Sequence, residues 1–185
     1  MKSIPTSLDG VLLFEPECLE DERGFFYESF RRSDLVKLGI RHQWVQDNRS
    51  YSKKGVVRGL HYQWPVPQAK LVSVLQGEIF DVAVDIRPSS ATFCKWIGLN
   101  LSSENRLMLY IPPGFAHGFA VVLEGAFVSY KCSSYYRREY DRTILWNDEE
   151  IGIEWPIVRP IISLKDRSAE KLKGTKYEFL PQINV

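Results

Sequence analysis

Chemistry in this chain concentrates between residues 55 and 86, where one histidine, His61, stands close in sequence to Arg58, Gln63, Lys70, Asp81 and Asp85. A histidine can take or give a proton near neutral pH, and a lysine and an arginine can hold an anion or a developing enolate. A second histidine, His117, follows Pro112-Pro113-Gly114, a rigid turn that fixes the direction of the strand carrying it. Each of these groups also has an ordinary structural reading. A lone strand histidine is more often a hydrogen-bonded structural residue, a strand tyrosine such as Tyr130 more often sits in a core, and Asp81 and Asp85 taken alone read as an exposed sheet face. What favours a site is the crowding of His61, Arg58, Gln63, Lys70 and Asp81 onto the same few strands.

The elements that must position them are short strands. Runs at 56–62 and 70–76 flank Trp64-Pro65-Val66-Pro67, and Gly77 turns the chain into a third run at 78–86. In that third run Phe80, Val82, Val84 and Ile86 share an apolar face, and Ile79, Asp81, Ala83 and Asp85 share the other. The same count puts His61 and Gln63 on one face of 56–62 and Arg58 on the opposite one. Both can reach one pocket only if the strand bends between them, and Gly59 is where a bulge costs little.

Further strands are expected at 11–16, 25–30, 96–101, 107–111, 115–122 and 126–132, with another beginning at 44–46 and a loop at 17–24. Glu28 shares a face with Phe26 and Phe30, so it needs a partner or an edge. A short helix is expected at 33–39, with Ser33 as N-cap and Gly39 as its stop, and a weaker one at 166–172. Short strands about ten residues apart predict a mainly all-β chain: an antiparallel jelly roll with short flanking helices, in one domain spanning 1–185. No Walker A or G-x-G-x-x-G sequence is present.

Composition narrows the function classes. With 185 residues, 44% hydrophobic, 25% charged and a formal net charge of +1, nothing recruits nucleic acid or a membrane surface globally, so any anion is held locally. The first ten residues lack the apolar core of a signal peptide, no run approaches a membrane span, and Cys18, Cys94 and Cys132 are widely spaced. A cytoplasmic protein with reduced thiols is expected. No metal or other cofactor is expected: the chain holds only three histidines, His42, His61 and His117, Gln63 stands where a metal-binding jelly roll would place a second histidine, and Lys70 is a nearby cation.

The order of motifs resembles the dTDP-4-dehydrorhamnose 3,5-epimerase family. Matching segments are Asp21-Glu22-Arg23-Gly24-Phe25-Phe26-Tyr27-Glu28, Gln46-Asp47-Asn48, Arg58-Gly59-Leu60-His61-Tyr62-Gln63, Lys70-Leu71-Val72 and Phe80-Asp81-Val82-Ala83-Val84-Asp85. The match continues through Ile111-Pro112-Pro113-Gly114-Phe115-Ala116-His117-Gly118-Phe119, Tyr130-Lys131, Trp146-Asn147-Asp148 and Lys165-Asp166. The resemblance implies a metal-free cupin-like jelly roll, working as a homodimer that exchanges N-terminal strand residues, with a dTDP-4-keto-6-deoxy sugar as substrate. It further implies His61 as general base oriented by Asp166, Tyr130 as acid and Lys70 as stabiliser of the C4 oxyanion. Arg23, Glu28, Gln46, Asn48, Arg58, His117 and Lys165 would bind the nucleotide sugar, Arg23 and Glu28 from across the dimer, with Asp81 supporting the site. Tyr135 and Tyr136 offer a ring to stack on thymine. Asp141 stands where family members often carry a longer glutamate, so it is not expected to touch substrate. The competing readings are a mono-epimerase or ketoisomerase on the same scaffold, a non-catalytic sugar-nucleotide binder, and a metal-dependent cupin.

Overall fold

In a computed structural model, described here over residues 1–182, thirteen strands and two short helices appear. In chain order the strands are β1 (Lys2–Pro5), β2 (Leu12–Glu15), β3 (Cys18–Asp21), β4 (Gly24–Tyr27), β5 (Gln46–Lys53), β6 (Val57–Gln63) and β7 (Lys70–Gln76), followed by β8 (Glu78–Asp85), β9 (Trp96–Ser102), β10 (Met108–Ile111), β11 (Phe115–Val121), β12 (Gly125–Cys132) and β13 (Asp141–Thr143). The helices are α1 (Arg32–Lys37) and α2 (Leu164–Arg167). Two antiparallel sheets, β1-β2-β10-β7-β12-β5 and β13-β6-β11-β8-β9, stack as the expected jelly roll, and β3 and β4 form a separate hairpin.

Strand parity decides what each layer buries. Val72, Val74 and Val128 of one sheet meet Ile79, Ala83 and Phe119 of the other in the sandwich interior. The opposite parity of the second sheet, Leu60, Tyr62, Val82 and Val84, is covered by Ile144, Ile151, Leu172 and Leu180 from the C-terminal segment. Both faces of β8 are therefore buried, and Asp81 and Asp85 are each 0% exposed. This corrects the solvent-facing reading: Asp81 and Asp85 share the face of Ile79 and Ala83 that packs against the first sheet, and alternation within one strand cannot show that both of its faces are covered.

Other local readings shift as well. Residues 17–24 hold a strand, β3, and not only a loop, because Arg23 N–H bonds to the Asp21 carboxylate and the chain reverses through Glu22-Arg23 onto β4. Helix α1 begins at Arg32 with no side-chain cap, so Ser33 lies inside its first turn and does not cap it. Its end does follow glycine chemistry: Gly39 adopts φ +84°, while Gly39 and Ile40 N–H groups bond back to Val36 and Leu35. The expected 166–172 helix is instead α2, capped by the Ser163 hydroxyl, followed by a 3₁₀ turn at Leu172–Gly174. No helix among the described residues is long and apolar enough to cross a membrane.

Asp85 anchors the turn after β8. Its carboxylate accepts from Arg87 Nε at 2.8 Å and Nη2 at 2.7 Å, and from the Thr92 hydroxyl at 2.6 Å. Burial alone would raise this carboxyl, but the bonds from Arg87, Ser90 and Thr92 outweigh it and hold it below its usual value. A depressed folded value means the stabilisation is complete above the unfolded carboxylate range, about pH 4, and is lost as pH falls through the folded value. Asp85→Asn is expected to cost about 3–5 kcal/mol at pH 7, because Arg87 is left buried without its counter-charge. The deficit should shrink toward pH 3; urea unfolding at both pH values checks this, and an unchanged midpoint at pH 7 contradicts it.

Candidate active site

One end of the sandwich opens as a cavity of about 400 Å³ between the two sheets. Gln46 and Asn48 come from β5, Arg58, His61 and Gln63 from β6, Lys70 from β7, Tyr130 and Cys132 from β12, and Tyr136, Asp141 and Lys165 close the mouth. An inner chamber of about 100 Å³ continues it, bounded by Ser50, Lys70, His117, Phe119 and Tyr130 among others.

Arg58 and His61 share this cavity because β6 bulges. His117 pairs with His61 and Phe119 with Arg58, so two steps on β11 face three on β6. Gly59 makes the close approach possible: it sits at φ +128°, and a Cβ there would lie 2.6 Å from Gly118 Cα.

The His61 Nε2–H donates to Asp166 Oδ1 at 2.6 Å, and the other carboxylate oxygen, Oδ2, accepts from Gly59 N–H at 3.3 Å. Burial pushes the Asp166 carboxyl up, but the His61 bond and charge, the Gly59 N–H and Ser163 together hold it below its usual value. An ionised carboxylate only accepts, so it fixes the proton on Nε2 and leaves the Nδ1 lone pair of His61 able to accept a proton. Tyr130 stands on the opposite sheet. Burial, aided by Cys132 and Asp141 and opposed by Arg58, pushes its hydroxyl up, so it carries its proton at neutral pH.

Lys70 is held from behind. Its ammonium donates to His117 Nδ1 at 3.5 Å, and His117 Nε2 lies 3.0 Å from Asp81 Oδ2. Burial lowers both Lys70 and His117, with the Asp81 charge opposing the shift in each. Both ring nitrogens of His117 are thus engaged, and it orients Lys70 at the edge of the inner chamber. Asp81 stands behind His117 and does not line the cavity.

At the mouth Asp141 Oδ2 accepts from the Tyr136 hydroxyl at 3.1 Å and from Lys165 Nζ. Asp141, set aside on its sequence, therefore joins the site; it does so because 141–143 pair with β6, placing Asp141 opposite Gln63. The Gln63 side chain donates to Val66 and Tyr135 carbonyls and accepts from Arg137 N–H. These bonds tie the loops at 66, 135 and 137 to the end of β6. Arg23 and Glu28 do not line the cavity: they pair with Asp21 and Arg31 on the exposed hairpin side. Sequence reasoning also missed Cys132, whose buried thiol accepts weakly from Asn48 Nδ2 at 3.6 Å.

The family model for dTDP-4-dehydrorhamnose 3,5-epimerase matches residues 5–174. The chain belongs to that family. It is 50% identical over 179 residues to the dTDP-4-dehydrorhamnose 3,5-epimerase of Shigella flexneri, covering 96% of this chain and 99% of that one. Its fold matches the dTDP-6-deoxy-D-glucose-3,5-epimerase of Legionella pneumophila Philadelphia 1, solved with dTDP-4-keto-L-rhamnose, at a TM-score of 0.97 and 47% identity over 100% and 99% of the two chains. A 3'-monoepimerase of Streptomyces bikiniensis in complex with dTDP-quinovose shares the fold at TM-score 0.85 and 32% identity, over 91% and 87% of the chains. Within the epimerase family the fold alone therefore does not count the centres inverted.

Proposed function

We propose that this chain epimerises dTDP-4-dehydro-6-deoxy-D-glucose at C3 and C5 to dTDP-4-dehydro-L-rhamnose, serving dTDP-L-rhamnose synthesis. The observation that carries the reading is a base and an acid on opposite walls: His61, oriented by Asp166, on one sheet and Tyr130 on the other, with Lys70 beside the path between them. His61 Nδ1 takes the proton alpha to the C4 ketone, the electron pair moves onto the C4 oxygen, and Lys70 stabilises that enolate. Tyr130 then delivers its proton to the opposite face of the same carbon, and solvent returns a proton to the phenolate while His61 sheds the one it took. In a gluco-configured chair the hydrogens on C3 and C5 lie on the same face, so one base and one acid serve both. The reaction is redox-neutral, and no cofactor enters it.

Arg58, Lys165, Gln46 and Asn48 supply donors for the nucleotide and its diphosphate, Tyr136 a ring for thymine, and Lys70 with its His117–Asp81 support the sugar end. The site acts in a homodimer in which the N-terminal strands exchange, so that Arg23 and Glu28 reach the partner's cavity. Supporting this, the β3–β4 hairpin stands apart from both sheets and leaves Leu19, Phe25 and Phe26 62%, 58% and 68% exposed. Sedimentation is expected to return twice the single-chain mass, and a monomer at micromolar concentration counts against exchange. Cytoplasmic residence belongs to the same proposal, supported by three unpaired cysteines.

The deciding experiment is proton NMR in D₂O with the dTDP-4-keto sugar. Two solvent deuteriums, at C3 and C5, are expected; one would assign a mono-epimerase, and none would reject the enzyme. Identity of 50% to the double epimerases against 32% to the mono-epimerase favours two.

A further inference from the structure

The inward face of β5 presents Gln46, Asn48, Ser50 and Ser52 in alternation. Three of the four are committed. Gln46 accepts from Tyr136 N–H and donates to Asn48, Asn48 donates to Cys132, and Ser52 accepts from Arg58 Nε at 2.9 Å. Ser50 differs: its hydroxyl oxygen is buried and has no hydrogen-bond partner among the described residues. Three other side chains share that condition, Trp44, Arg106 and Thr143, yet of the four only Ser50 lines the cavity. A buried hydroxyl without a partner gives up its solvation for nothing in return, so it marks a place where a ligand group can complete the bonding.

The shape of the substrate says which group. A hexopyranose tethered through C1 to its diphosphate presents the opposite edge, C3–C4–C5, to the bottom of a cleft. With the nucleotide at the mouth beside Lys165 and Asp141, that edge enters the inner chamber. Its C4 oxygen is taken by Lys70. What remains is a hydroxyl on C3 and a methyl on C5, and beside Tyr130, already assigned as the acid, the chamber offers the unpartnered hydroxyl of Ser50 and one buried apolar ring, Phe119. A serine hydroxyl turns about a single side-chain torsion to meet its partner.

We propose that Ser50 binds the 3-hydroxyl of the sugar and thereby presents the C3–H bond to His61, an assignment that rests on the epimerase reading above. Losing it should affect C3 before C5, since the C5 hydrogen is held by the ring and by the methyl contact.

The test follows exchange at each carbon separately by proton NMR in D₂O, using the full chain. Ser50→Ala is expected to slow exchange at C3 about 10-fold relative to C5. Equal slowing at both carbons, or none, overturns the assignment. A second measurement needs no variant: with the 3-deoxy analogue of the dTDP-4-keto sugar, the wild-type KM for exchange at C5 is expected to rise about 5- to 10-fold. An unchanged KM overturns the proposal, and Ser50→Ala, where it folds, should treat the two sugars alike. Absence of all exchange in the wild-type protein removes the epimerase reading and the assignment with it, a pattern distinct from wild-type exchange that the serine does not influence.

Discussion

Replacing His61 by asparagine is expected to lower kcat by about 10²- to 10⁴-fold, the contribution of a positioned general base. An amide cannot take a proton from carbon, so no enolate forms at either centre and solvent exchange at C3 and C5 should stop together. Binding should survive. The amide can still donate to Asp166, which also keeps its contact with Gly59 N–H, and the nucleotide groups at the mouth are untouched. Calorimetry with dTDP is therefore expected to give a Kd within about threefold of wild type while turnover collapses, a loss in kcat and not in ground-state binding. Retention of more than a tenth of wild-type turnover would mean that the base is another residue.

Tyr130→Phe should give a different failure. The ring keeps its packing against the interior cluster, but the hydroxyl that protonates the second face is gone. His61 can still remove the proton and return one to the same face, so the expected result is deuterium uptake with retained configuration, while inversion falls by about 10²- to 10⁴-fold. Because burial raises the Tyr130 hydroxyl above its ordinary value near 10, the wild-type enzyme should keep its acid in the donating form throughout neutral pH. Ionisation of Tyr130 should accordingly set no alkaline limb in the neutral range, and a limb at higher pH is expected to come first from Lys70, which burial lowers. Loss of exchange and inversion in equal measure would place Tyr130 in ground-state positioning instead.

These two variants lean on residues that the resemblance assigned before any coordinates, and the reason is visible in the fold. His61, Lys70 and Tyr130 each lie within a well-patterned strand, so local periodicity places them correctly in the chain. The partners that tune them lie elsewhere: Asp166 is 105 residues from His61, and Asp81 is 36 residues from His117. Pairings over such separations leave no trace in periodicity. Asp141 was set aside because it is shorter than the glutamate family members often carry there, and its place at the cavity comes from pairing with β6, which side-chain length does not reveal.

By itself the sequence determined the strand-rich class, most strand boundaries to within a residue or two, the family resemblance, and the need for a bend near Gly59. Those are properties of side-chain alternation, turn chemistry and motif order, all written locally along the chain. Only the tertiary structure decided that Asp81 and Asp85 are buried, because their face of β8, shared with Ile79 and Ala83, packs against the opposite sheet. It alone showed His117 holding Lys70 at the edge of the inner chamber, and left Arg23 and Glu28 exposed on the side of the β3–β4 hairpin. It also left one hydroxyl, Ser50, without a partner inside the cavity. Which face of a strand is inside, and which polar group is satisfied, depends on what packs against it, and that is fixed by the assembled sheets and not by any one strand.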